Sequence, residues 1–273
     1  MDAGERVVLV HDWLTGMRGG EKCLEPLCRR WPASRLLTLL HKPGSVSPTI
    51  EQTRITPSVL NALPKVERYY RYLLPLMPFV AGWRVEDADI VVSLSHAVAK
   101  SAQSPEGVPH VCYCFTPMRY AWHMQESYFA KKGVLGGLKA SAVDLLMGRI
   151  REWDRRTASR VTHFVAISNT VRDRIRDCYG RDAAVINPPV DTEFYRPSNE
   201  PREDFYVVVS ALAPYKRFDL AVDACQKLGR KLVVIGSGQH LAKLKAQAGP
   251  TTRFLGWQSD EVIRDHLRRA KAL

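Results

Sequence analysis

Short apolar runs rich in β-branched residues recur along this chain, and helical segments separate most of them. The runs are "RVVLVH" (6–11), "RLLTLL" (35–40), "DIVVSL" (89–94), "HVCYC" (110–114), "THFVAI" (162–167), "AAVI" (183–186), "FYVVVS" (205–210), "KLVVIG" (231–236) and "RFLG" (253–256). Several are apolar throughout, without the alternation of a half-solvated strand. That is the pattern of strands buried on both faces of a parallel sheet. Helical patterns fall near 21–31, 139–159, 170–179, 218–228, 241–248 and 260–270. The alternation predicts doubly wound α/β.

One stretch interrupts the rhythm. "NPPVDTEFYRPSNEPRED" (187–204) carries Pro188, Pro189, Pro197 and Pro201 among polar residues, as a linker does. It divides the chain into a first domain over 1–190, a linker over 191–202 and a second domain over 203–273. Only three strands and three helices fit in the second domain, so it reads as incomplete, with one sheet edge left open.

The 273 residues are ample for a real core. Forty Lys+Arg against 28 Asp+Glu give a net charge of +12. Such an excess suits an anionic partner such as nucleic acid, anionic lipid or a phosphate-bearing ligand. The basic residues are dispersed and no nucleic-acid-binding motif is present, so nucleic acid is not expected as a partner. The six cysteines lack zinc spacing and read as buried free thiols. The N-terminus has no signal-peptide pattern, and no run reaches the ~18 apolar residues of a membrane span. A cytoplasmic location is expected. Two segments keep a membrane surface in view. "YYRYLLPLMPFVAGW" (69–83) reads either as a buried helix with its exit or as a lipid-facing lip. The basic amphipathic segment 130–160 reads either as a solvated face or as one lying on anionic lipid.

Ligands of open α/β sheets bind beyond the carboxyl ends of the strands. After the first strand comes "HDWLTGMRGGEKCLE", where Gly19 and Gly20, beside Arg18, open a helix and allow close approach of a phosphate to backbone N–H groups. After the fourth comes "FTPMRYAWH", which gathers Arg119, Tyr120, Trp122 and His123 on one loop, a composition suited to a sugar or lipid phosphate. "SALAPYKRFDLAV" (210–222) holds Lys216 and Arg217 at a strand-to-helix turn, and "GSGQH" gives Gly236 and Gly238. A diphosphate held by such glycine turns and Lys216 would account for them together. Ser168 or Asn169 and Ser259 read as helix caps.

Taken in order, "HDWLTGMRGGEKCLE", "CYCFTPMRYAW", "ISNTVRDRI", "YGRDAAVINPPVDTEFYRP", "SALAPYKRFDLAV", "VIGSG" and "FLGWQSDE" resemble the family 4 glycosyltransferases of the GT-B fold. The first two blocks resemble the bacterial branch that builds surface polysaccharides, often as mannosyltransferases. The resemblance implies two Rossmann-like domains and a retaining transfer of a hexose from a GDP- or UDP-linked donor to a lipid-linked glycan or polysaccharide acceptor. It places the protein in the cytoplasm, peripheral to the inner face of the plasma membrane. It implies that Lys216, with Gly19, Gly20 and Arg217, holds the donor diphosphate. Gly236 and Gly238 would form the nucleotide turn, and Arg119, Tyr120 and Trp122 would belong to the acceptor loop. No metal and no cofactor are expected, since lysine takes the charge-neutralising role.

The chain departs from that pattern in three places. Ala211 stands where the family carries an arginine of the diphosphate clamp, a loss worth a few kcal/mol of transition-state stabilisation. Phe115 stands where an acceptor-loop histidine is expected, which leaves His123 as the candidate proton-transfer group. The acidic E-x₇-E segment that contacts donor sugar and ribose is not in the sequence. The expectation is a fragment or a degenerate member with little activity. A non-catalytic nucleotide-binding or scaffolding member is the competing reading, and an epimerase of the same fold stands behind it.

Overall fold

The computed structural model describes residues 6–122, 136–199 and 201–273. They fall into two compact units, Met1–Pro189 and Val190–Leu273.

The first unit is a seven-stranded sheet of β1 (Val7–His11), β2 (Arg35–Thr38), β3 (Arg54–Pro57), β4 (Ile90–Ser95), β5 (His110–Cys114), β6 (His163–Ala166) and β7 (Ala183–Val185). Their order is β3-β2-β1-β4-β5-β6-β7, and every adjacent pair is parallel. The apolar runs anticipated all but one of these strands. β3 was missed because "RITP" is an edge strand with mostly exposed side chains and needs no apolar run.

β1 shows why the central strands are apolar throughout. Successive side chains alternate between faces. Val7 and Leu9 join the cluster under helix α1 (Gly19–Arg30), with Leu24 and Cys28, while Val8 and Val10 join the opposite cluster with Val85, Val91 and Ala99. Truncating a residue such as the fully buried Leu9 to alanine would cost about 2–5 kcal/mol.

The helices begin and end where local chemistry dictates. Ser168 Oγ accepts the Val171 N–H at 3.3 Å and caps the helix Asn169–Tyr179, which ends at Gly180 in the left-handed conformation. Ser259 caps Asp260–Arg269 in the same way. The segment 70–80 cannot form a regular α-helix, because Pro75 and Pro78 supply no N–H. It folds as a 3-10 helix, Tyr70–Leu76, and a helical turn, Met77–Val80. The basic segment after 130 enters the described region as the helix Gly136–Thr157, which buries Met147 and Ile150.

A buried polar cluster ties three helices to the loop after β4. The Lys100 ammonium pairs with Asp154 Oδ1 at 2.8 Å and donates to the Asp154 carbonyl at 2.7 Å and Thr157 Oγ1 at 3.0 Å. Asp154 Oδ2 accepts from Trp122 Nε1 and from the Tyr179 hydroxyl, both at 2.8 Å. Among the described residues all six cysteines are free thiols, and all but Cys225 are buried.

The second unit is a parallel sheet of β8 (Tyr206–Val209), β9 (Leu232–Ile235) and β10 (Thr252–Gly256), in the order β10-β9-β8. The outer edge of β8 pairs with residues 271–272. The Lys271 N–H bonds to the Phe205 carbonyl at 2.8 Å, and the Val207 N–H bonds to the Ala272 carbonyl at 3.1 Å.

Candidate functional site

The strand order reverses direction between β1 and β4, and the crevice beyond the carboxyl ends of those two strands is where an open α/β sheet binds ligands. The residues that follow β1, β4 and β5 meet there.

Asp12, the first residue after β1, is fully buried. Its Oδ2 accepts the backbone N–H groups of His96 at 2.6 Å and Ala97 at 3.0 Å. Its Oδ1 accepts those of Val98 and Ala99, both at 2.7 Å. One carboxylate thus organises the whole turn that leaves β4. His96 Nδ1 lies 2.9 Å from the same Oδ2. Burial alone would raise the Asp12 pKa, but the charge and hydrogen bonds of His96 outweigh it and hold the carboxyl well below the ordinary range. A carboxylate can only accept, so Nδ1 of His96 carries a proton and donates it to Asp12. The His96 side chain is 23% exposed, with its ring edge-on to Trp13 at 4.6 Å and 6.3 Å from Phe115. An imidazole oriented by a buried carboxylate can exchange a proton or hold a hydroxyl through its other ring nitrogen.

His11 lies beside this pair. Its Nδ1 donates to the Trp13 carbonyl at 3.0 Å, and the buried Nε2 of the neutral ring bears a lone pair, with no hydrogen-bond partner among the described residues. Burial lowers its pKa and favours the neutral ring.

Gly19 and Gly20 are the first residues of α1. Space beyond Gly19 is open, so a ligand can approach its backbone. Gly20 is different: a Cβ there would sit 3.2 Å from His11 Nε2 and 3.5 Å from the Phe115 ring, so any larger residue must push the His11 ring aside. Glu21 Oε2 accepts the Arg18 N–H at 3.0 Å and steadies the turn. Phe115 packs edge-on to Tyr113 and lines the hydrophobic cluster below α1.

Arg119, Tyr120 and Trp122 share the short helix Arg119–Trp122 after β5. The Trp122 indole is committed to Asp154, and Tyr120 packs against the neighbouring apolar cluster. His123 lies outside the described residues.

In the second unit Lys216 ends the 3-10 turn Pro214–Lys216, exposed, with its ammonium 5.8 Å from the Tyr215 ring centroid. Arg217 caps the next helix with φ 54° and turns its guanidinium onto Asp219, Nε to Oδ1 at 3.1 Å and Nη2 to Oδ2 at 3.0 Å. Ala211 is exposed on the same loop. Gly236, at φ 137°, and Gly238 follow β9, and a Cβ on either would run into the carbonyl oxygens of Ser210 and Leu212 respectively. The chain passes so close to the loop after β8 that only glycine fits. Lys216, Gly236 and Gly238 therefore share one end of this sheet.

Sequence reasoning missed Asp12, His96 and His11. The signal was present: "HDW" directly follows one buried strand and "SHA" directly follows another. Knowing that β1 lies beside β4 would have joined them.

Among the described residues no group of three or more His, Cys, Asp or Glu is placed to hold a metal ion, and no helix is long and apolar enough to cross a membrane.

A family model described as Glycosyltransferase Family 4 matches residues 17–194. No curated protein sequence matches the chain. Among solved structures, Anabaena HepE in complex with UDP is similar over 96% of this chain and 72% of its own, with TM-score 0.63 and 12% identity. The same Anabaena protein in complex with UDP-glucose aligns with TM-score 0.61 and 13% identity, over 96% of this chain and 71% of its own. AviGT4, a glycosyltransferase involved in avilamycin A biosynthesis, aligns over 97% of this chain and 68% of its own, with TM-score 0.53 and 18% identity. At these identities the likeness is one of fold.

Proposed function

The chain belongs to glycosyltransferase family 4, and from that premise we propose that it transfers a hexose, with retention of configuration, from a nucleotide diphosphate sugar to a lipid-linked glycan or polysaccharide acceptor. The family match over residues 17–194 carries the reading. The donor is a UDP- or GDP-hexose, mannose being the candidate from the N-terminal blocks, and the work belongs to bacterial envelope polysaccharide synthesis at the inner face of the plasma membrane. Anabaena HepE is named with UDP and with UDP-glucose, which supports a uridine donor beside the guanosine one.

Lys216 takes the role of a point charge on the donor diphosphate, neutralising the leaving group without a metal. Its ammonium is exposed and has no ion-pair partner among the described residues, which supports this role. Arg217 is held by Asp219 and contributes less. The open backbone at Gly19 and the first turn of α1 serve as an anion site. Gly236 and Gly238 keep the nucleotide turn narrow. On the acceptor side, His96 Nε2 stands near the place where Phe115 leaves no proton acceptor, so His96 replaces His123 as the foremost candidate to hold the acceptor hydroxyl.

The sequence changes at Ala211 and Phe115 favour a second reading, a non-catalytic member that binds nucleotide or scaffolds an assembly. One experiment separates the two. The protein is incubated with UDP- and GDP-hexoses and membrane extract lipids, and release of nucleoside diphosphate and glycosylated lipid is followed. Release abolished by Lys216→Ala supports the enzyme. Binding of UDP or GDP without any release under every donor supports the scaffold, and absence of binding defeats both.

A further inference from the structure

Three neighbouring strands of the first unit empty onto one patch. β3, β2 and β1 are adjacent and parallel, so the segments leaving their carboxyl ends run side by side. Backbone bonds fasten these segments together. The Leu14 N–H bonds to the Leu40 carbonyl at 2.7 Å, and the Lys42 N–H bonds to the Leu14 carbonyl at 2.9 Å. The His41 N–H donates to Asn61 Oδ1 at 2.9 Å. Lys65, in the third segment, sits at φ 53°, in the left-handed region that a side chain rarely adopts. Such a conformation persists only where its surroundings hold it, and it is commonest at ligand sites.

The patch is concave. A pocket of about 290 Å³ is lined by Thr15, Arg18, Lys42, Glu67, Arg68 and Tyr70. A second, of about 260 Å³, shares Thr15, Lys42 and Glu67 with it and adds Lys65. The shared residues join the two into one groove. Arg18, Lys42, Lys65 and Arg68 are exposed, and none of them has an ion-pair partner among the described residues. Glu67 is the one acid in the lining. Like charges gathered in a concave surface focus a positive potential there and concentrate anions. Glu67 narrows the kind of anion. A carboxylate can only accept, so it calls for a ligand that donates; a fully ionised phosphate offers no donor, whereas sugar hydroxyls do. The groove also adjoins the acceptor side of the site. The Tyr70 ring lies 5.0 Å from that of Trp13, and Trp13 lies 4.6 Å from the His96 ring.

We propose that this groove receives an acidic saccharide, so that the acceptor carries carboxylate or phosphate-ester groups on its sugars. Arg18, Lys42, Lys65 and Arg68 bind the acidic groups, and Glu67 accepts from the hydroxyls between them. Charge then sets acceptor specificity, because a neutral glycan leaves the four cations without a counter-ion. That the saccharide is the acceptor rests on the transfer proposed above. Its binding is tested without donor or turnover, so the two readings fail separately.

The test is calorimetric titration in two arms. One compares oligogalacturonate with its methyl ester, which keeps the sugar backbone and loses the charge. The other compares glucose 6-phosphate with glucose. In at least one arm the acid binds about tenfold or more tighter than its neutral match, and its affinity falls as salt rises from about 0.05 to 0.5 M. Tighter binding in the first arm assigns carboxylates to the ligand, and in the second phosphate esters. Lys42→Ser with Arg68→Ser weakens binding of the acid by about tenfold or more and leaves UDP and GDP titrations as in the wild type. Its urea midpoint is unchanged, because both side chains are exposed. Lys243→Ser with Lys245→Ser, which removes the same charge from the second unit, leaves binding of the acid intact. No preference for the acid in either arm, or a preference that survives Lys42→Ser with Arg68→Ser, overturns the proposal. It is also overturned if that pair weakens UDP or GDP as much as the acid, since the groove then belongs to the donor. An equal loss in Lys243→Ser with Lys245→Ser overturns it as well, since net charge alone then accounts for the binding.

Discussion

Replacing Asp12 by asparagine keeps the side-chain shape but turns one carboxylate oxygen into an NH₂ group. In the native protein Oδ1 accepts two backbone N–H groups, at Val98 and Ala99, and Oδ2 accepts two, at His96 and Ala97, as well as the His96 ring. Whichever oxygen is lost, two N–H donors in the turn after β4 face an amide donor instead of an acceptor. Each buried donor left without a partner costs about 1–3 kcal/mol, so the loss is about 2–6 kcal/mol, centred near 4. That is a large share of the ~5–15 kcal/mol that stabilises an ordinary domain. Urea unfolding followed by circular dichroism should show a lower midpoint with an unchanged slope. The reasoning is refuted if Asp12→Asn costs less than about 1 kcal/mol, for the carboxylate would then not be what holds the turn.

Other perturbations have equally definite outcomes. Lys100→Met leaves the Asp154 carboxylate buried without its cation and should lower stability by about 3–5 kcal/mol in the same urea assay; an unchanged midpoint would contradict the buried ion pair. His110 is fully buried, and burial pulls its pKa down from 6.5 to about 4. Because its folded pKa is depressed, the unfolded chain binds the extra proton, so its contribution is fully present above pH 6.5 and is lost as pH falls toward 4, by about 3 kcal/mol in all. Unfolding free energies measured between pH 7.5 and 4 should show this slope, reduced in His110→Gln. Gly236→Ala drives a methyl group into the Ser210 carbonyl at a φ that only glycine tolerates, and should destabilise the second unit by more than about 1 kcal/mol. Ala211→Arg should tighten calorimetric binding of UDP or GDP by roughly tenfold by restoring a second cation on the loop of Lys216; unchanged affinity would put the diphosphate elsewhere.

The strands of both sheets were legible because parallel strands must be apolar on both faces, and such runs stand out among polar connections. β3 was invisible for the converse reason, since one solvated edge strand needs no such run. The helix starts at Ser168 and Ser259 were legible from single cap residues. The site was legible only in its local parts. Gly236 and Gly238 stood out as a close-approach turn, and Lys216 as a cation at a strand exit. The Asp12–His96 pair spans 84 residues and exists only because β1 and β4 are neighbours, an adjacency no local pattern encodes. Trp122, expected in the acceptor loop, also has a structural partner the sequence does not show: its indole N–H is engaged by Asp154, 32 residues away.

The central claim is that a family 4 glycosyltransferase holds its donor through the diphosphate at Lys216. Calorimetric titration of the protein and its Lys216→Ala variant with UDP and GDP tests this directly. The account predicts binding of at least one nucleotide, weakened about tenfold or more in Lys216→Ala, with unfolding midpoints matched because the side chain is exposed. Equal affinity in the two proteins, or no binding of either nucleotide, would contradict it.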